Sequence, residues 1–139
     1  MNKLFLLVDD DSDDAELFGE ALATIDPPVE FHHAQDGKVA FDYLGNSKNK
    51  IPDLIFLDLN MPEMSGWQCL TRIKKDDSLK NTSVVMYSTS SHQRDKDLAI
   101  ELGALGFITK PADYKKLRDI LKRVASASNP ELKNVIQEI

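Results

Sequence analysis

Four apolar runs, each the length of a β-strand, recur along the chain and constrain its fold more than any other feature. They are LFLLV at residues 4–8, LIFL at 54–57, VVMY at 84–87 and LGFI at 105–108. The first three are apolar at every position rather than at alternate ones. A strand that is apolar on both sides is normally buried on both sides, as in a parallel sheet covered by helices. A weaker, alternating run, VEFHHA at 29–34, adds a fifth strand. Segments of helical period separate the runs. Ala15, Phe18, Leu22 and Ile25 share one face, and Val39, Ala40, Tyr43 and Leu44 share the next, closed by Gly45 as its C′ residue. Trp67, Leu70 and Ile73 follow Ser65-Gly66, and Leu98, Ala99 and Leu102 precede Gly103. Tyr114, Leu117, Ile120, Leu121 and Val124 form the clearest stripe, with Asp113 placed to cap it.

The alternation predicts an α/β protein: a doubly wound, five-stranded parallel sheet in the flavodoxin-like order 2-1-3-4-5, with five helices. With 139 residues the expectation is one domain over residues 1–127, followed by a short helical tail at 128–139. In that tail Leu132, Val135, Ile136 and Ile139 lie on one side. The net charge of −6 argues against a broad basic surface for nucleic acid or anionic membrane. The longest apolar run, Leu4 to Val8, is too short to span a bilayer, and the acids that follow it at once do not suit a signal peptide. Cys69 is the single cysteine, which excludes an intramolecular disulfide and a thiolate metal cluster. A cytoplasmic protein is expected.

In an open parallel sheet, ligands bind at the carboxyl ends of the strands, beside the point where strand order reverses. Here that point lies between the first and third strands. The first strand ends in Asp9-Asp10 and the third in Asp58, so two distant segments deliver three carboxylates to one place. Such a cluster is unfavourable without a cation. Oxygen donors in small number suit Mg2+, with Mn2+ an alternative. The fourth strand ends in Ser88, whose hydroxyl can bond a phosphoryl oxygen, and the fifth in Lys110, whose ammonium can neutralise another. Together these groups suit phosphoryl transfer to a carboxylate nucleophile. Asp11, Asp13 and Asp14 extend the acidic run but belong to a helix start: Asp11 or Ser12 caps it, and Asp13, Asp14 and Glu16 complement its dipole.

The set VDD, LDLNMPEMSG, ST and TKP, at these spacings and over residues 3–125, resembles the response-regulator receiver domain, the CheY-like module of two-component signalling. The resemblance implies that Asp58 is the phosphoacceptor. It implies that Asp10 is a direct metal ligand, that Asp9 acts mainly through water, and that the Asn60 backbone carbonyl is a third protein ligand. Ser88 resembles the switch hydroxyl, with Thr89 the alternative register, and Lys110 the phosphate-binding lysine. Phe107 resembles an aromatic switch that turns inward on phosphorylation, where the family often carries Tyr. Pro111 resembles a proline joined to Lys110 through a cis bond. Asn60, Thr89 and Ser90 occupy positions that tune access of water to the phosphoryl group.

The implied function is a stand-alone response regulator, not itself an enzyme acting on an external substrate. A sensor histidine kinase or phosphotransfer protein would be the donor. Output would be binding to a downstream protein through residues 92–125, with a homodimer compatible with the fourth-helix face or the tail. The alternative within this chemistry is a phosphorelay intermediate. The single-domain length and the polar loop GNSKNKIP at 45–52 also resemble regulators that partner phytochrome-like kinases.

Two rivals fit less well. Asp9, Asp11, Asp13 and Glu20 match positions of an EF-hand loop, but Asp14 stands where that loop needs Gly, and a strand precedes it instead of a helix. A haloacid-dehalogenase-type phosphatase wants an acid two residues after its nucleophile, where this chain has Asn60. His32 and His33 read as edge-strand residues, and Cys69 and Trp67 as packing on the third helix.

Overall fold

The computed structural model describes residues 2–139. Five strands, β1 (Leu4–Val8), β2 (Glu30–Ala34), β3 (Leu54–Leu57), β4 (Val84–Ser88) and β5 (Gly106–Thr109), form one parallel sheet in the order β2-β1-β3-β4-β5. Six helices accompany them: α1 (Ser12–Ala23), α2 (Gly37–Leu44), α3 (Gly66–Lys75), α4 (Gln93–Glu101), α5 (Tyr114–Ser126) and α6 (Asn129–Glu138). The expected strand order is therefore observed, and the tail supplies a sixth helix.

Each central strand divides its side chains between two apolar layers, because successive residues point to opposite faces. Phe5, Leu7, Phe56, Val85 and Tyr87 meet α1, α5 and α6 on one side. Leu6, Val8, Ile55, Leu57, Val84 and Met86 meet α2, α3 and α4 on the other. This two-sided burial is why β1, β3 and β4 carry no alternation in sequence. Phe18, from α1, centres the first layer, with ring centroids 4.9 Å from Phe56 and 5.6 Å from Tyr87.

Local chemistry sets the helix starts. Asp11 is the N-cap of α1 and accepts from the Asp14 amide at 3.0 Å, with Asp13 and Asp14 in the positive first turn. Ser65 and Gln68 form a reciprocal capping box on α3, whose last turn is basic. Asp113 caps α5 as expected. Gly45 ends α2 in a right-handed conformation (φ −82°) rather than the left-handed one expected of a C′ glycine. The left-handed glycine is Gly103 (φ +100°), after α4.

The tail is integrated into the core. Leu132 and Ile136 of α6 are buried in the layer shared with α1 and α5. Ile136 lies over Gly106, where a Cβ would stand 2.8 Å from its Cγ2, and Gln137 donates to the Leu105 carbonyl at 3.1 Å. Lys3 ties the opposite end, donating to the carbonyls of Ala125 (2.8 Å) and Ala127 (2.6 Å) at the end of α5. Ile136→Ala is expected to destabilise the whole domain by about 2–4 kcal/mol in a single transition. Urea unfolding followed by circular dichroism checks this; a separate, earlier transition of α6 would contradict it.

Candidate functional site

The carboxyl ends of β1, β3, β4 and β5 converge on one acidic site. The Asp9 amide donates to Ala34 of β2 (3.1 Å) and the Asp58 amide to Val8 of β1 (2.9 Å), so each acid extends its strand by one residue. Asp9 is fully buried, Asp58 is buried and Asp10 is exposed. One carboxylate oxygen from each lies within 4.8 Å of the other two. Sequence-distant residues are therefore brought together at the reversal point between β1 and β3, as expected. Asn60 follows, exposed, in the loop after β3.

Lys110 supplies the opposing charge. Its amide donates to the Ser88 carbonyl at 2.7 Å, which continues the β4–β5 ladder and aims the side chain into the site. The ammonium lies 2.8 Å from Asp9 Oδ2, 2.9 Å from Asp14 Oδ2 and 3.7 Å from Asp58 Oδ1. The contact with Asp14 is a directed hydrogen bond. The contact with Asp9 is a close ion pair, at an angle that leaves the buried Asp9 Oδ2 without a well-directed hydrogen-bond donor. A buried carboxylate oxygen without a donor, facing two further carboxylates, fits a hard cation. The exposed Asp10 gives that cation a path from solvent.

The electrostatics follow from crowding. Burial raises the Asp58 carboxyl to about 6, the Asp9 and Asp10 charges add to the rise, and Lys110 opposes it. Burial likewise raises Asp9, against its contacts with Lys110. Burial by itself would lower the Lys110 ammonium, but Asp9 and Asp14 outweigh it and the net shift is upward.

Ser88 is buried at the end of β4, and its Oγ accepts from the Ser90 amide at 3.3 Å. Ser90 anchors the following loop: its hydroxyl donates to Asp95 of α4 (2.6 Å), and its carbonyl accepts from Thr109 Oγ1 of β5 (2.9 Å). Thr89 is exposed. Phe107 is already buried, at 8% exposure, so an inward turn would start from a packed ring. A groove of about 790 Å³ runs beside it, bounded by α4, β5, α5 and α6, with Ile100 and Ile139 exposed along it.

The bond between Lys110 and Pro111 departs from expectation. Among the described residues the cis peptide bond is Asp26–Pro27, and Lys110–Pro111 is trans. The trans form is the favoured one for X-Pro, by about 0.5–1 kcal/mol.

Three residues contribute to the site in ways that the sequence did not assign to them. Gly66 is needed because a Cβ there would collide with the Asp58 carbonyl oxygen, which seats α3 directly against the Asp58 backbone. His33, on edge strand β2, donates from Nε2 to the Asp9 carbonyl at 2.7 Å. Asp14 acts on Lys110 as well as on its own helix. Only Gly66 had a local signal, the small residue after a serine cap.

The site and the fold agree with what is known of similar chains. The family model described as "Response regulator receiver domain" matches residues 5–122, and the chain belongs to this family. It is similar to response regulator Rcp1 of Synechocystis sp., with 34% identity over 128 residues, covering 89% of this chain and 87% of that one. The crystal structure of the phosphorylated cyanobacterial phytochrome response regulator RcpA superposes with a TM-score of 0.78 at 38% identity, covering 88% and 90% of the two chains. The Mn2+-bound form of Rcp1 also gives 0.78, at 32% identity, covering 89% and 92%. Other relatives are much longer: the chain spans 24% of a probable cyclic di-GMP phosphodiesterase from Vibrio cholerae, to which it is 32% identical over 113 residues. No helix among the described residues is long and apolar enough to cross a membrane.

The raised Asp58 carboxyl makes a pH prediction for metal-free protein. Its folded value, about 6, exceeds the unfolded value, 3.8, so between them the folded state binds more protons. Stability falls as pH rises through this window, by about 3 kcal/mol for that difference. With a chelator present, Asp58→Asn should therefore be more stable than wild type at about pH 7.5, and the gain should shrink near pH 4.5. Urea titrations at both values check it; a pH-independent difference would contradict the crowding.

Proposed function

We propose that Asp58 accepts a phosphoryl group from a phosphohistidine on a sensor histidine kinase or phosphotransfer protein, and that the phosphorylated chain signals by binding another protein. The observation that carries this is the placing of Asp58 beside Asp9 and Asp10, with Lys110 3.7 Å away, at the switch point of the sheet. Family membership and the likeness to RcpA and Rcp1 support it. RcpA is a phytochrome response regulator, which makes a phytochrome-type kinase the first donor to test.

An Asp58 carboxylate oxygen attacks phosphorus as the bond from phosphorus to the donor nitrogen breaks. The electron pair of that bond leaves with the donor imidazole. Burial and neighbouring acids raise the Asp58 carboxyl to about 6, and cation binding favours the ionised nucleophile. Asp9, Asp10, Asp58 and the Asn60 carbonyl would hold Mg2+, or Mn2+ in its place; the similar Rcp1 has a Mn2+-bound form. When bound, the ion supplies positive charge to the oxygens of the phosphoryl group. Lys110 neutralises one phosphoryl oxygen as a point charge, and the Ser88 hydroxyl donates to another.

Because Ser88 also accepts from Ser90, its movement pulls on a loop tied to Asp95 of α4 and Thr109 of β5. That loop borders the groove containing Phe107, so the readout is a shift between two states of the α4, β5 and α5 face. The C-terminal helix α6 forms one wall of the groove, which ties the tail to the output surface.

Intact-mass measurement after treatment with phosphoramidate should show one phosphoryl group, dependent on Mg2+ and lost in Asp58→Ala. Labelling that persists unchanged in the variant would sink the reading. Rapid return of the group to a histidine protein in the same assay would identify a relay intermediate.

Exposed Thr89 stands beside the switch hydroxyl, where its bulk restricts the path of water. Thr89→Ala should shorten the half-life of the aspartyl phosphate severalfold; an unchanged rate of phosphate release would contradict this role.

A further inference from the structure

Lys110 does not point at Asp58. Its directed hydrogen bond goes to Asp14 Oδ2 at 2.9 Å, Asp9 lies at 2.8 Å, and Asp58 is the most distant of the three carboxylates at 3.7 Å. Asp14 lies outside the cluster of Asp9, Asp10 and Asp58. Its backbone is fixed as well, because its amide donates to the Asp11 cap. The pair is sheltered: the Lys110 side chain is 10% exposed and that of Asp14 37%. Leu17, Tyr87 and Leu117 line the cleft that both enter. In such surroundings an ion pair is only partly screened.

From this geometry we propose that Asp14 is a positioning residue that holds the Lys110 ammonium away from Asp58 and so acts as a brake on the phosphorylated state. The proposal rests on Asp58 being the phosphoacceptor. Two effects act in the same direction. A phosphoryl group on Asp58 competes with Asp14 for the Lys110 ammonium. The Asp14 carboxylate also repels the added anionic oxygens. Removing its charge relieves both, while Asp9 still holds the lysine within the site.

Beryllofluoride with Mg2+, a mimic of the aspartyl phosphate, reads this out by calorimetric titration of the full chain. Asp14→Asn should bind it about three- to tenfold more tightly than wild type, the scale of one partly screened ion pair and one removed like charge. The gain should shrink at high salt, and Asp14→Glu, which keeps the charge, should return toward wild type. The half-life of the aspartyl phosphate should lengthen in Asp14→Asn. A purely structural role for Asp14 would lower unfolding stability with no gain in affinity, and equal or weaker binding by a folded Asp14→Asn would overturn the proposal. Wild type that binds no beryllofluoride would overturn it together with the phosphoacceptor reading, whereas wild-type binding without a gain in the variant overturns the brake alone.

Discussion

Confinement of like charges at the end of the β1–β3 pair is the constraint on which the rest of the structure depends. Asp9 and Asp58 each extend a buried strand, so neither carboxylate can retreat into water. The sheet register that pairs Val8 with Leu57 fixes their separation. The cost of that confinement appears as a raised Asp58 carboxyl, and it is offset within the chain by one ammonium, from Lys110. Such a site is electrostatically unfavourable on its own and suited to an added cation.

Lys110 connects the site to three parts of the fold. Its amide belongs to the β4–β5 ladder, its ammonium is shared with α1 through Asp14, and its neighbour Thr109 holds the loop after β4 through Ser90. Ion pairs and hydrogen bonds thus link Asp58 to α1, to β5 and to the start of α4. The groove beside Phe107 lies where these elements meet α6. The chain spans most of the length of Rcp1 but only a quarter of the Vibrio cholerae phosphodiesterase.

Sequence reasoning worked best where a physical requirement leaves a periodic or local trace. Burial on both faces forces continuous apolar runs, which exposed β1, β3 and β4. Strand order and the positions of Asp9, Asp10, Asp58, Ser88 and Lys110 at strand ends followed from there. It worked less well where a feature depends on packing between distant segments. A trans Lys110–Pro111 bond, a right-handed Gly45 and an already buried Phe107 leave no mark in local composition.

The sequence alone determined that the chain forms a doubly wound sheet and that its strand ends carry a carboxylate cluster, a hydroxyl and a lysine. Periodicity and strand-end chemistry are local properties, and they survive being read in one dimension. Only the tertiary structure decided that Asp14 shares the lysine with Asp9, because Asp14 and Lys110 are 96 residues apart and meet only when α1 packs beside β5. It also decided that α6 belongs to the core, because Ile136 needs the surface left open by Gly106, and no pattern within either segment names the other.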